Sequence, residues 1–188
     1  MRIATMLGSP KLDGNTATVL GMFEELVSKK HEIDRVNIAE HRVAGCNGCL
    51  ECRKSPDDIA CVQDDDAESI FRRMMRSDIV VYASPLYCWG FSSQLKALID
   101  RHVCLVSGYG TPEHRSLIEG KKTALLVTCA GPIDNNSEFI QGIFDKLNEY
   151  TLSEVAGKYI VPFCTTPGEI GVDAKEIVAG MAKNLGLI

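Results

Sequence analysis

Four cysteines stand within sixteen residues: Cys46-Asn-Gly-Cys49-Leu-Glu-Cys52, then Cys61 after eight more. Thiolates this close in a tight turn can converge on one centre, and the C-x2-C-x2-C run is a spacing that four-cysteine iron–sulfur sites use. Gly45 and Gly48 permit the sharp turns that such convergence needs. A four-cysteine zinc site would use the same donors, because tetrahedral sulfur suits both, and His41 is a candidate to replace one ligand. Reduced, redox-active thiols are the third reading of the same four residues. Of the remaining cysteines, Cys104, Cys129 and Cys164 adjoin apolar segments, where free Cys is commonly just buried. Cys88 lies in an aromatic loop, and a nucleophilic role there would require a lowered pKa.

A second kind of chemistry belongs to Gly8-Ser-Pro-Lys-Leu-Asp-Gly-Asn-Thr16, which joins the apolar run Ile3–Leu7 to a helical pattern starting at Ala17. Small and hydroxyl residues at a helix N-terminus offer unpaired N–H groups and a favourable dipole to an anion. Ser9, Asn15 and Thr16 add side-chain donors and Lys11 adds a cation. Neither G-x-x-x-x-G-K-[ST] nor G-x-G-x-x-G follows the strand, which excludes a triphosphate loop and a dinucleotide fingerprint. An ordinary βα turn would look similar from this stretch alone. Two more loops share its character. Ser84-Pro-Leu-Tyr-Cys-Trp-Gly-Phe-Ser-Ser93 holds the only Trp of the chain and suits the edge of a planar aromatic ring. Thr128-Cys-Ala-Gly-Pro132 follows another apolar run.

These loops need elements to hold them, and the patterning supplies them. Apolar runs at Ile3–Leu7, around Val36 and Ile38, at Ile79–Ala83, at Thr123–Thr128 and at Tyr159–Phe163 read as strands. Between them, apolar residues recur at helical spacing over 17–30, 67–76, around Leu95 to Ile99, over 139–150 and over 174–185. Strands that are continuously apolar are covered on both faces, so a three-layer α/β sandwich with a five-stranded parallel sheet is expected. In such a sheet the ligand crevice opens at the carboxyl ends of the strands. Two stretches break the alternation: 40–64, with four of the cysteines, and 103–121. Asp64-Asp65-Asp66 reads as carboxylates favouring a helix dipole, Asp100-Arg101 as a structural or interface pair, and His114 as a solvated residue.

The 188 residues fit one domain, 1–188, with a Cys-rich insert at about 40–64. A net charge of −5 without a basic cluster argues against nucleic acid as a partner. No run approaches the ~20 apolar residues of a membrane helix, and no leader pattern precedes the first strand. A cytoplasmic location is expected, and in that reducing setting eight cysteines are not read as a disulfide framework.

Gly8-Ser-Pro-Lys-x-x-Gly-Asn-Thr, Ser84-Pro-Leu-Tyr and Gln94-Leu-Lys-Ala-Leu-Ile-Asp-Arg101 together resemble the flavodoxin-like NAD(P)H-dependent FMN reductases, over roughly residues 1–165. The Cys46–Cys61 insert is similar to that of the subgroup containing the iron–sulfur flavoproteins. The resemblance implies sheet order 2-1-3-4-5, FMN bound non-covalently and a homodimer or homotetramer. It places Ser9, Lys11, Gly14, Asn15 and Thr16 at the FMN phosphate, Pro85, Leu86, Tyr87, Cys88, Trp89 and Gly90 along the isoalloxazine, and Cys129, Ala130 and Gly131 nearby. No side chain is assigned as catalytic, because the cofactor carries the chemistry. The implied activity is electron transfer from NAD(P)H through FMN to a quinone, a nitro or azo compound, a metal ion or free flavin. The alternative is an electron carrier with FMN and a [4Fe-4S] cluster on Cys46, Cys49, Cys52 and Cys61, reduced by ferredoxin.

Overall fold

A computed structural model of the chain describes residues 1–166, 168–171 and 173–188. Five strands form a wholly parallel sheet: β1 (Arg2–Leu7), β2 (Glu32–Asn37), β3 (Ile79–Pro85), β6 (Lys122–Thr128) and β7 (Glu154–Val161). Their order is β2-β1-β3-β6-β7. The two short strands β4 (Val106–Ser107) and β5 (Arg115–Ser116) pair only with each other, so the main sheet has the expected 2-1-3-4-5 arrangement.

Strand alternation divides the core into two layers. Ala4 and Met6 of β1, Val80 and Tyr82 of β3, and Leu125 and Val127 of β6 point to one face. There they meet α2 (Ala67–Arg76), α3 (Ser93–Asp100) and α4 (Glu138–Thr151). Ile3 and Leu7, Val81 and Ala83, and Ala124 and Leu126 point the other way, onto α1 (Asn15–Val27) and α5 (Ala174–Asn184). β1, β3 and β6 are almost wholly buried, which is why they read as unbroken apolar runs.

The departures from expectation occur where solvent relaxes the pattern. Tyr159–Phe163 marks only the end of β7, whose first residues Glu154 and Val155 lie exposed on the sheet edge. Ile38 belongs to a short 3-10 turn after β2 rather than to the strand. Segment 103–121 is not simply a loop, since it contains part of a 3-10 turn (Arg101–Leu105) and the β4–β5 hairpin. His114 is half-buried rather than solvated: its Nε2 lies 3.0 Å from the Tyr150 carbonyl oxygen and Tyr109 meets its ring edge-on. The carboxylates before α2 do more than favour its dipole, because Asp65 pairs with Arg101, while Asp100 pairs with Lys96.

Candidate functional site

The carboxyl ends of β1, β3, β6 and β7 open onto one cleft of about 240 Å3. Ser9, Lys11, Gly14, Asn15 and Thr16 line it from the loop after β1 and the start of α1. Pro85, Leu86 and Tyr87 line it after β3, and Thr128, Cys129 and Ala130 after β6. Cys164, Thr165 and Thr166, which follow β7, complete the wall. Cys88, Trp89, Gly90 and Gly131 lie outside that lining. A wider groove of about 380 Å3 runs between α1 and α5, with Met22, Leu26 and Val178 among its walls, away from the strand ends.

Local structure leaves this cleft ready for an anion. Gly14 precedes α1 in extended conformation, no side chain caps the helix, and its first turn carries no carboxylate. The first N–H groups and the positive end of the dipole are therefore free to meet a negative group. Thr16 Oγ1 and Thr128 Oγ1 share a buried hydrogen bond of 2.6 Å, which joins α1 to the end of β6. The Ser9 hydroxyl accepts the Lys11 backbone N–H at 3.1 Å and folds the loop back on itself. Asn15 acts differently from a phosphate donor. Its Nδ2 donates to the Thr166 and Glu169 carbonyls at 2.8 and 3.0 Å, and its Oδ1 accepts the Gly168 N–H at 2.9 Å. Its side chain ties the last wall of the cleft to the first.

Beside the cleft the Tyr87–Gly90 turn closes with two backbone hydrogen bonds of 3.0 and 3.1 Å. Its central residues Cys88 and Trp89 have φ of 47° and 60°, a left-handed conformation costly for L residues. The turn holds Trp89 outward, 56% exposed, with Tyr87 also exposed at the cleft edge.

Cys46, Cys49, Cys52 and Cys61 surround a separate cavity of about 120 Å3, with Arg101 and Cys104 among its other walls. Spacing alone does not connect Cys104 with this group; the 3-10 turn Arg101–Leu105, which follows α3, brings it there. Burial, then the neighbouring thiols of Cys61, Cys46 and Cys49, push the Cys52 thiol up. Burial pushes Cys104 up to about 12, with Cys61 and Cys52 adding to the effect. All eight cysteines are free. His41 is not part of this wall and lies 3.7 Å from the Asp66 carboxylate. Among the described residues no group of three Cys, His, Asp or Glu side chains is set to hold a single metal ion. The void itself far exceeds the roughly 10–15 Å3 that one water needs, so its size suits a group of several atoms.

The family model for NADPH-dependent FMN reductases matches residues 1–138. The chain belongs to this family. As a member of the FMN reductase family it is an oxidoreductase. An iron–sulfur flavoprotein of Archaeoglobus fulgidus is 32% identical over 173 residues, covering 91% of this chain and 72% of that protein. Another from Methanosarcina thermophila is 37% identical over 106 residues, 56% of this chain and 54% of the relative, so the match spans about half that protein's length. Among solved structures, the NAD(P)H:quinone oxidoreductase from Methanothermobacter marburgensis has the same fold, with a TM-score of 0.69 at 18% identity, covering 100% of this chain and 96% of that one. The cleft fits the cofactor of an FMN reductase: an uncapped helix start with hydroxyls and Lys11 suits a phosphate, and Pro85–Tyr87 with Cys129 and Ala130 form the wall suited to a flat ring.

Proposed function

We propose that this chain binds FMN in the cleft at the strand ends and passes electrons from NAD(P)H to a small-molecule acceptor such as a quinone, a nitro or azo compound, a metal ion or flavin. The observation that carries this reading is the convergence of four strand-end loops on one cleft with the uncapped start of α1. Bound there, FMN would supply two-electron chemistry, taking a hydride from nicotinamide and releasing electrons to the acceptor. The N–H groups at the start of α1, with Ser9, Lys11 and Thr16, hold the phosphate. Backbone from Pro85 to Tyr87 and from Thr128 to Ala130 orients the ring, while the Asn15 strap keeps the fourth wall in place. Tyr87 and Trp89 flank the open side, where nicotinamide and acceptor enter in turn. A homodimer or homotetramer in the cytoplasm belongs to the same proposal. Anaerobically purified protein should show a two-banded flavin spectrum that bleaches with NADPH or NADH. A protein that remains colourless after FMN is added would refute the proposal.

A second reading concerns the cysteine cavity. Four thiols around one void larger than an ion support a [4Fe-4S] cluster over zinc, with the protein acting as an electron carrier reduced by ferredoxin. Cys46, Cys49, Cys52 and Cys61 would be the ligands, and the similar proteins of Archaeoglobus fulgidus and Methanosarcina thermophila are themselves iron–sulfur flavoproteins. A broad visible shoulder beneath the flavin bands, with iron and acid-labile sulfide that disappear in Cys49→Ala, is the expected result.

A further inference from the structure

Arg101 begins the 3-10 turn after α3 and is 1% exposed, an unusual position for a group that cannot shed its charge. Its guanidinium offers five N–H donors. Nη1 serves the Asp65 carboxylate at 2.7 Å and the Ala44 carbonyl at 3.0 Å. Nη2 serves the other Asp65 oxygen at 3.2 Å and the Cys61 sulfur at 3.0 Å. The Nε–H is buried without a partner. A buried donor left unpaired is costly, and this one sits on a side chain that itself lines the cysteine cavity. Asp65 is in turn fixed by the N–H groups of Ala44 and Ala67, at 3.0 and 3.1 Å. The guanidinium is thus held rigidly against sulfur, with a donor to spare.

We propose that Arg101 is a positioning residue for the cysteine site: it holds the Cys61 sulfur toward the cavity and presents a fixed cation and N–H donors that ease reduction of the group held there. The inference rests on the cluster reading of the cavity given above. Its physical basis is general. Several thiolates around one group carry excess negative charge, and hydrogen bonds to cluster sulfur are among the levers that set its potential. A guanidinium beside the ligand sulfur stabilises the more negative, reduced state.

The test uses anaerobic full-length protein loaded with ferrous iron and sulfide. Iron and sulfide are counted, and the one-electron reduction by dithionite is followed by low-temperature electron paramagnetic resonance, which separates the cluster from flavin. Arg101→Gln should lower the reduction equilibrium constant at least tenfold, about 59 mV for a one-electron couple, and Arg101→Lys should recover part of that loss. Asp65→Asn should move the potential the opposite way, because it removes the charge that offsets Arg101. A mere structural brace would make both variants shift together, and that result overturns the proposal, as does a wild-type potential in Arg101→Gln. If Arg101→Gln does not fold, Asp65→Asn decides: no rise in potential overturns the proposal. Wild-type protein that takes up neither iron nor sulfide would remove the cluster reading itself, and the inference with it. Uptake with an unshifted Arg101→Gln would remove only the role of Arg101.

Discussion

The fully buried His102 packs edge-on against Phe71 and stands between two elements. Its Nδ1 lies 3.0 Å from the Leu98 carbonyl, which can only accept, so Nδ1 carries the proton. Nε2 then accepts from the Tyr82 hydroxyl at 3.0 Å. Burial lowers the pKa to about 4, because a charged imidazolium has no place in this core. The neutral folded form means that the unfolded chain takes up the proton first as pH falls below 6.5. Stability should therefore be full above that pH and decline toward pH 4, by up to about 3 kcal/mol. Urea melts at pH 7 and pH 4.5 read the loss directly, and His102→Gln should show a flatter profile across that window. Little of this was legible in the sequence: nothing about a His after Asp100-Arg101 distinguishes a core hydrogen bond from a surface one. Thr16 was different, because its place in a hydroxyl-rich loop before a helix already marked it for the cleft.

At the scale of elements, the cleft depends on how closely α3 approaches the loop after β1. A Cβ at Gly8 would lie 2.6 Å from Leu95 Cβ and 3.1 Å from the Ala83 carbonyl, so glycine is required there by proximity rather than by backbone freedom. Ser92 fixes the same contact. Its hydroxyl donates to the Gly8 carbonyl and accepts the Leu95 N–H, capping α3, while its own N–H donates to Ser84 Oγ at 3.1 Å. Gly8→Ala should displace α3 or the loop and cost about 1–3 kcal/mol, as overpacking does. FMN affinity should fall with it. Thermal melts and fluorescence titration would measure the two effects, and wild-type values in both would contradict this account. The motif Gly8-Ser-Pro-Lys announced a ligand loop but not its close contact with Leu95, which comes from a helix some eighty residues later. Thr165 and Thr166 follow the strand read at Tyr159–Phe163, but nothing in their own stretch marks a ligand loop, and only the sheet order brings them to the wall of the cleft. The cysteine insert was visible from spacing, whereas Arg101 and Cys104 join it only through the turn after α3.

For the whole molecule, a ligand that binds the folded state alone must stabilise it. FMN at a hundred times its dissociation constant should add about 2.7 kcal/mol, or roughly 5–10 °C in Tm for a chain of this size. Differential scanning fluorimetry with and without FMN tests this, and an unchanged Tm would count against the cleft as a flavin site. The layered architecture was the most legible feature of all. Buried parallel strands such as Ile79–Ala83 have no solvent face, so their sequences are apolar throughout and leave little room for another reading.

The placing of β1 between β2 and β3 has a consequence for how the protein is made. Ile3 finds a partner in Ile79, so within this sheet β1 is made well before its second edge can be covered. The cleft is later still, since its walls come in turn from residues 9–16, 85–87, 128–130 and 164–166. A ligand of this cleft therefore cannot template early folding of the nascent chain. It can be captured only by a sheet already assembled, and until then the newborn protein relies on its apolar layers alone and on whatever chaperones shield them.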